Sequence, residues 1–173
     1  RHVAIQGVGS VGGGVARRLA ADGAKLTLAD FNADKAKALA AELGAETADK
    51  DAIMAIPCDV FSPNALGAIL TEQSVAALQA PVIAGAANNQ LATADIGQLV
   101  HDRGIVYAPD YVINAGGIIN VGLEYLGQGT AEEVNARIEQ IPARLADIWA
   151  TSKAENRPAS AVADVMAQRL IGR

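Results

Sequence analysis

Val3-Ala4-Ile5-Gln6-Gly7-Val8-Gly9-Ser10-Val11-Gly12 decides the fold, because a short apolar run ends in a G-x-G-x-x-G pattern and continues into helical spacing. A strand that stops in such a turn and opens a helix gathers unpaired backbone N–H groups and the positive end of the helix dipole at one spot. That is a cradle for a pyrophosphate. The first glycine permits the tight turn, the second lets a ligand approach bare backbone, and the third lets helix pack closely on strand.

Working outward, the spacing predicts a strand over His2 to Gln6 and a helix from Ser10 or Val11 to Ala21, with Val11, Val15 and Leu19 as its apolar repeat and Gly23 as its stop. Lys25 to Asp30 reads as a second, buried strand with an acidic last residue, 18 positions after Gly12. A carboxylate about 20 residues beyond the glycines accepts hydrogen bonds from the adenosine ribose of NAD and repels the extra phosphate of NADP. Asp30 thus points to NAD.

Asn32 caps a helix predicted from Ala33 to Leu43, closed by Gly44, and a polar irregular stretch follows to Asp51. Further strands are expected at Ile56–Phe61, at Pro81–Gly85 and at Ile105–Tyr107. Helices are expected at Leu66–Leu78, with Thr71 a candidate cap, at Thr93–Arg103 and at Ile118–Leu126. A long helix over Thr130–Lys153 should kink or restart at Pro142, and Pro158 suits the first position of a last helix reaching Leu170. The alternation predicts an α/β, Rossmann-type doubly wound sheet, mostly parallel, with helices on both faces and extra C-terminal helices over 118–173. Residues 1–173 are expected to form a single domain, because neither a linker nor a fixed-period repeat divides them.

Composition narrows the function classes. The chain is 51% hydrophobic with only 3% aromatic residues, so its core must rest on Ala, Val, Ile and Leu. A net charge of −5 and the lack of any Lys/Arg cluster argue against nucleic acid. Cys58 stands alone and is expected in the core, and His2 and His101 complete no metal-ligating set. No apolar run reaches the length of a membrane span, so a cytoplasmic setting is expected. The chain starts at Arg1, at the lip of a strand, as expected for a piece of a longer protein.

Asn88, Asn89 and Asn114 fall near strand ends, where Asn serves equally as a turn residue and as a ligand-facing amide. Asp110 and Tyr111 could equally shape a turn. No tyrosine is followed four residues later by lysine, and Lys25, Lys35, Lys37, Lys50 and Lys153 occupy a strand start, helix surfaces and a loop. None of these lysines is an obvious proton shuttle.

Three segments, PCDVFSPNALGAI, VIAGAANNQL and GIVYAPDYVINAGGIINV, make the chain resemble the amino-acid dehydrogenases of the glutamate, leucine, phenylalanine and valine group, over Val3 to about Arg169. The resemblance is to the family's cofactor-binding domain, and it implies that the catalytic lysines and aspartate belong to an N-terminal domain outside this chain. It implies NAD as cofactor, an L-amino acid and its 2-oxo acid as substrates, and a homo-oligomer in the full-length protein. Position by position, it implies that Gly7, Val8, Gly9, Ser10, Val11, Gly12 and Gly13 hold the pyrophosphate and Asp30 the adenosine ribose. Ala84, Gly85 and Asn88 would line the nicotinamide ribose, Asn114 would fix the nicotinamide or the substrate, and Ser62 to Asn64 would border the cleft. Asn64 stands where the family leads one to expect Cys, and Gly12 where leucine-type members carry Ala, a difference expected to cost nothing sterically. Ile118 and Val121 match the substrate side-chain pocket.

The expected activity is reversible oxidative deamination of leucine, valine or isoleucine. Phenylalanine or glutamate are the alternatives within the family, glutamate being disfavoured because Ile118 and Val121 offer no cation. A non-catalytic NAD-sensing module is the alternative outside it.

Overall fold

The apolar run at the amino terminus becomes the centre of a sheet, with Val3, Ala4 and Ile5 all buried, as a strand covered on both faces requires. The computed structural model describes residues 1–127 and 129–172. Strands β1 (His2–Gln6), β2 (Lys25–Ala29), β3 (Glu46–Thr47), β4 (Val60–Pro63), β5 (Val82–Ile83) and β6 (Val106–Tyr107) pair in parallel in the order β3-β2-β1-β4-β5-β6. That order reverses direction between β1 and β4, the crevice in which open α/β sheets bind ligands.

Helices α1 (Ser10–Ala21), α2 (Ala33–Leu43), α3 (Glu72–Ala77) and α4 (Ala94–Asp102) connect the strands, and α5 (Asp110–Ile113), α6 (Gly116–Tyr125), α7 (Ala131–Ile138), α8 (Ile141–Glu155) and α9 (Ala159–Leu170) follow the last one. Successive β1 residues point to opposite sides. Val3 and Ile5 join Ala16, Leu26, Leu28 and Leu39 under α1 and α2, whereas Ala4 joins Phe61, Leu70, Val75, Ile83 and Val100 on the other face. A third cluster, built on Val112, Leu145, Ile148 and Val162, ties α5, α8 and α9 together. Trp149 anchors it to the sheet by donating its indole N–H to the Tyr107 carbonyl at 2.8 Å.

Several elements differ from expectation for identifiable reasons. Of the expected apolar stripe of α1, Val15 and Leu19 pack against the core, but Val11 at the first turn is 59% exposed; Gly12, Gly13 and Ala16 are buried instead, where the start of the helix lies close to the sheet. The polar stretch before Asp51 contains β3, an exposed two-residue edge strand too short to show a pattern. The strand expected at Ile56–Phe61 starts later, at Val60, beyond Pro57 and a 3₁₀ turn over Ile53–Ala55. Of the helix expected at Leu66–Leu78, only Glu72–Ala77 forms, behind a Thr71–Ser74 capping box. Residues 68–70 spend their backbone on a neighbouring loop instead, with the Ala68 N–H donating to Asn89 O at 2.7 Å and the Leu70 N–H to Gln90 O at 2.9 Å. The long C-terminal helix is two helices, with Pro142 in the first turn of α8, and Pro158 caps α9 from outside. Cys58 packs against the core as expected, though only half-buried, and burial pushes its thiol pKa up.

Trp149→Phe should keep the ring packing but strand the Tyr107 carbonyl, lowering stability by about 1–2 kcal/mol. Urea unfolding followed by circular dichroism checks this. An unchanged midpoint would show that the indole bond does not hold α8 to the sheet.

Candidate functional site

Strand register assembles the site. Gln6 lies opposite Ala29 of β2 and Pro63 of β4, so the residues that leave these three strands, Gly7, Asp30 and Asn64, emerge side by side at the carboxyl edge of the sheet. Gly7 has φ +89°, a left-handed conformation that glycine alone adopts without strain, and donates its N–H to Ala29 O at 2.7 Å. The space a Cβ would need at Gly12 is taken by the Gly7 carbonyl oxygen. The third glycine is thus a steric requirement of this turn, in line with the close packing of helix on strand expected of it.

Gly9 is different, because a Cβ there would meet nothing within 4 Å. It occupies the N-cap of α1 with no side-chain capping bond and no acidic residue in the first turn. The helix ladder begins with the Gly13 N–H on Gly9 O at 2.8 Å, so the N–H groups of the exposed residues Gly9, Ser10 and Val11 have no intrahelical acceptor at the positive end of the dipole. Bare backbone, free donors and room together fit a pyrophosphate.

Asp30 stands half-exposed beyond β2, its Oδ2 accepting the Val8 N–H at 2.8 Å and its Oδ1 the Asn32 N–H at 2.9 Å. The carboxylate is therefore fixed against the glycine turn. Phe31, next to it and 90% exposed, was not singled out by sequence; a large apolar ring that nothing covers, beside an acid at a strand end, is the signal that finds it.

On the other side of the crevice, Asn64 accepts the Ala86 N–H at 3.0 Å and donates to the Ser62 carbonyl and hydroxyl, both at 2.9 Å. It ties the end of β4 to the loop after β5. Gly85 is buried in that loop, where a Cβ would fall on the Pro63 backbone, so strand packing explains the glycine. Ala84 packs against the helical cluster rather than standing open. Gln90, fully buried, holds the loop from within by donating to Gly85 O at 2.7 Å and Ala87 O at 2.9 Å.

Asn88 and Asn114, 26 positions apart, are brought together. The Asn114 amide donates to Asn88 Oδ1 at 2.6 Å and to Ala86 O at 3.2 Å. Among the described residues nothing bonds the Asn88 Nδ2 or the Asn114 Oδ1, which leaves a donor and an acceptor side by side. Nearby, burial and the Asp110 charge push the Tyr107 phenol far above its ordinary pKa, so it stays a donor to Asp110.

Ile118 and Val121 project from α6, 70% and 58% exposed. Ile118 also borders a groove of about 890 Å³ between α5, α6, α7, α8 and α9, lined by Leu123, Ile141, Met166 and Leu170; Val121 does not. This groove is distinct from the glycine turn. Among the described residues no three His, Cys, Asp or Glu side chains gather as a metal site, and no helix is long and apolar enough to cross a membrane.

The strand order and the uncapped glycine turn at the β1–α1 junction define a Rossmann-type domain. The chain belongs to the glutamate/leucine/phenylalanine/valine dehydrogenase family, whose model matches residues 27–171. Leucine dehydrogenase of Geobacillus stearothermophilus is 44% identical over 169 residues, 98% of this chain and 46% of that protein. Leucine dehydrogenase of Bacillus subtilis is 41% identical over all of this chain and 47% of its own length. The crystal structure of L-tryptophan dehydrogenase from Nostoc punctiforme superposes with a TM-score of 0.94 at 36% identity, over 99% of this chain and 52% of that one. The chain thus spans about half the length of these relatives.

The two glycines should respond differently to the same methyl group. Gly12→Ala should cost about 1–3 kcal/mol through the forced shift of the turn, whereas Gly9→Ala should cost at most about 1 kcal/mol as a poorer cap. Paired urea melts decide it, and equal losses would contradict the packing described.

Proposed function

We propose that this chain is the NAD-binding half of an L-amino-acid dehydrogenase that carries out reversible oxidative deamination of leucine, valine or isoleucine to the 2-oxo acid and ammonia. Family membership supports the reaction class. The observation that carries the cofactor choice is the Asp30 carboxylate, fixed at the end of β2 against the glycine turn.

In this reading the N–H groups of Gly9, Ser10 and Val11 bind the pyrophosphate, and Gly12 and Gly13 let α1 approach closely enough for them to do so. Asp30 accepts the adenosine ribose hydroxyls, and its charge excludes a 2′-phosphate. Phe31 offers its face to the base. Asn88 and Asn114 orient the nicotinamide end through the donor and acceptor they leave free. When bound, NAD supplies the acceptor for the hydride leaving the substrate Cα. Ile118 and Val121, on the helix that begins just after Asn114, pack the substrate side chain, and aliphatic surface there suits a branched aliphatic group. The movement of the substrate's proton is assigned in this reading to residues outside this chain, as the resemblance to the family implies. Closure of the two halves would exclude water and bring the Cα within reach of the nicotinamide.

Asp30→Ser should weaken NAD binding by about tenfold, the size of one charge-assisted hydrogen bond, and narrow the gap between NAD and NADP. Calorimetric titration of both cofactors checks it; an unchanged NAD dissociation constant would remove Asp30 from the site. In the intact enzyme, kcat/KM should favour leucine, valine and isoleucine over phenylalanine and glutamate. This chain alone should bind NAD without turning over amino acid, and deaminase activity from it would contradict the division of labour.

A further inference from the structure

Asp110 grips both sides of the Asn88–Asn114 pair. Its main-chain carbonyl accepts the Asn114 N–H at 2.9 Å, and its Oδ2 accepts the Asn89 N–H at 2.7 Å. The direct amide bond between Asn114 and Asn88 closes the ring at 2.6 Å. The other carboxylate oxygen is occupied as well, by the Tyr107 hydroxyl at 3.1 Å. That phenol lies in the core beside β6 and is held protonated by burial, so it braces the carboxylate from a rigid element.

The grip falls on a conformation that needs one. Asn89 has φ +52°, in the left-handed region that non-glycine residues enter at a cost, Asn least of all. Its N–H is held by Asp110 and its carbonyl by the Ala68 N–H at 2.7 Å, so the loop is clamped from two directions. Gly67 lets the second clamp close, since a Cβ there would lie 2.6 Å from the Asn88 carbonyl oxygen. Without the Asp110 carboxylate, the Asn89 N–H loses its acceptor, and Asn88 is free to swing away from Asn114.

We infer that Asp110 is a positioning residue for the nicotinamide end of the site: by holding the Asn89 N–H with its side chain and the Asn114 N–H with its backbone, it makes Asn88 and Asn114 present their amides as one surface. The inference rests on the reading of this crevice as an NAD site. It gives Asp110 no contact with the reacting atoms and no proton to transfer. What it predicts is selective damage to one end of the cofactor.

Titrating the 173-residue chain with NAD and with ADP, which lacks the nicotinamide riboside, separates the two ends. Asp110→Ala should weaken NAD about tenfold and leave ADP unchanged, because the glycine turn and Asp30 do not depend on Asp110. Asp110→Asn should recover most of the loss, since one oxygen still accepts the Asn89 N–H while its amide donates to the Tyr107 hydroxyl oxygen. Should Asp110→Ala fail to fold, Tyr107→Phe, which removes one of the two bonds to the carboxylate, should still weaken NAD a few-fold with ADP unaffected. Equal losses for both ligands, or no loss for NAD, would overturn the positioning role while leaving NAD binding intact. A wild-type chain that binds ADP but not NAD would overturn the cofactor reading and this inference with it.

Discussion

The contact between the Gly7 carbonyl and the bare α-carbon of Gly12 is the constraint from which the rest of the structure follows. Because no side chain intervenes, α1 starts directly above the end of β1 and its first N–H groups open into the crevice. The same closeness excludes a side chain at Gly12 in the first turn of α1, where Val11 faces outward. Farther along α1, Val15 and Leu19 pack against the core that Ile5, Leu28 and Leu39 build from β1, β2 and α2.

From that fixed point the site is held by polar staples that each join two loops. Asp30 joins the turn after β2 to the turn after β1, and Asn64 joins the end of β4 to the loop after β5. Asp110 and Asn114 join that loop to the segment after β6. Each connects residues at least 21 positions apart in the chain, and together they turn the carboxyl edge of a parallel sheet into one rigid rim. Asn64 belongs to this set: as an amide it can donate to Ser62 and accept from Ala86 at once, which a thiol could not match.

The parts of this fold legible in the sequence are those specified locally. The β1–α1 unit, the Asn32 cap and Gly44 stop of α2, and the Thr71 cap all form where short-range chemistry places them. What the residues alone could not show depends on long-range pairing. The extended path of residues 68–70 is set by the loop at Asn89 and Gln90, and two-residue β3 exists only because β2 offers it an edge. The family resemblance, carried by segments around Asn64, Asn88 and Asn114, reached further than spacing did, and family membership agrees with it. The close packing expected of Gly12 is present, but that the Gly7 carbonyl oxygen is what leaves no room for a side chain there is revealed only by the folded turn. Asp110 read as no more than a turn residue because its partner Asn89, 21 positions away, meets it only once β5 and β6 pair.

The central claim is that the carboxyl edge of the sheet, and not the apolar groove among the C-terminal helices, receives the dinucleotide. Amide chemical-shift mapping of the ¹⁵N-labelled chain during titration with NAD tests it most directly. The largest shifts should fall on Val8 to Gly12, on Asp30 to Asn32, on Ala86 to Asn89 and on Asn114. Shifts confined to residues lining the groove, such as Leu123, Ile141 and Met166, would contradict it.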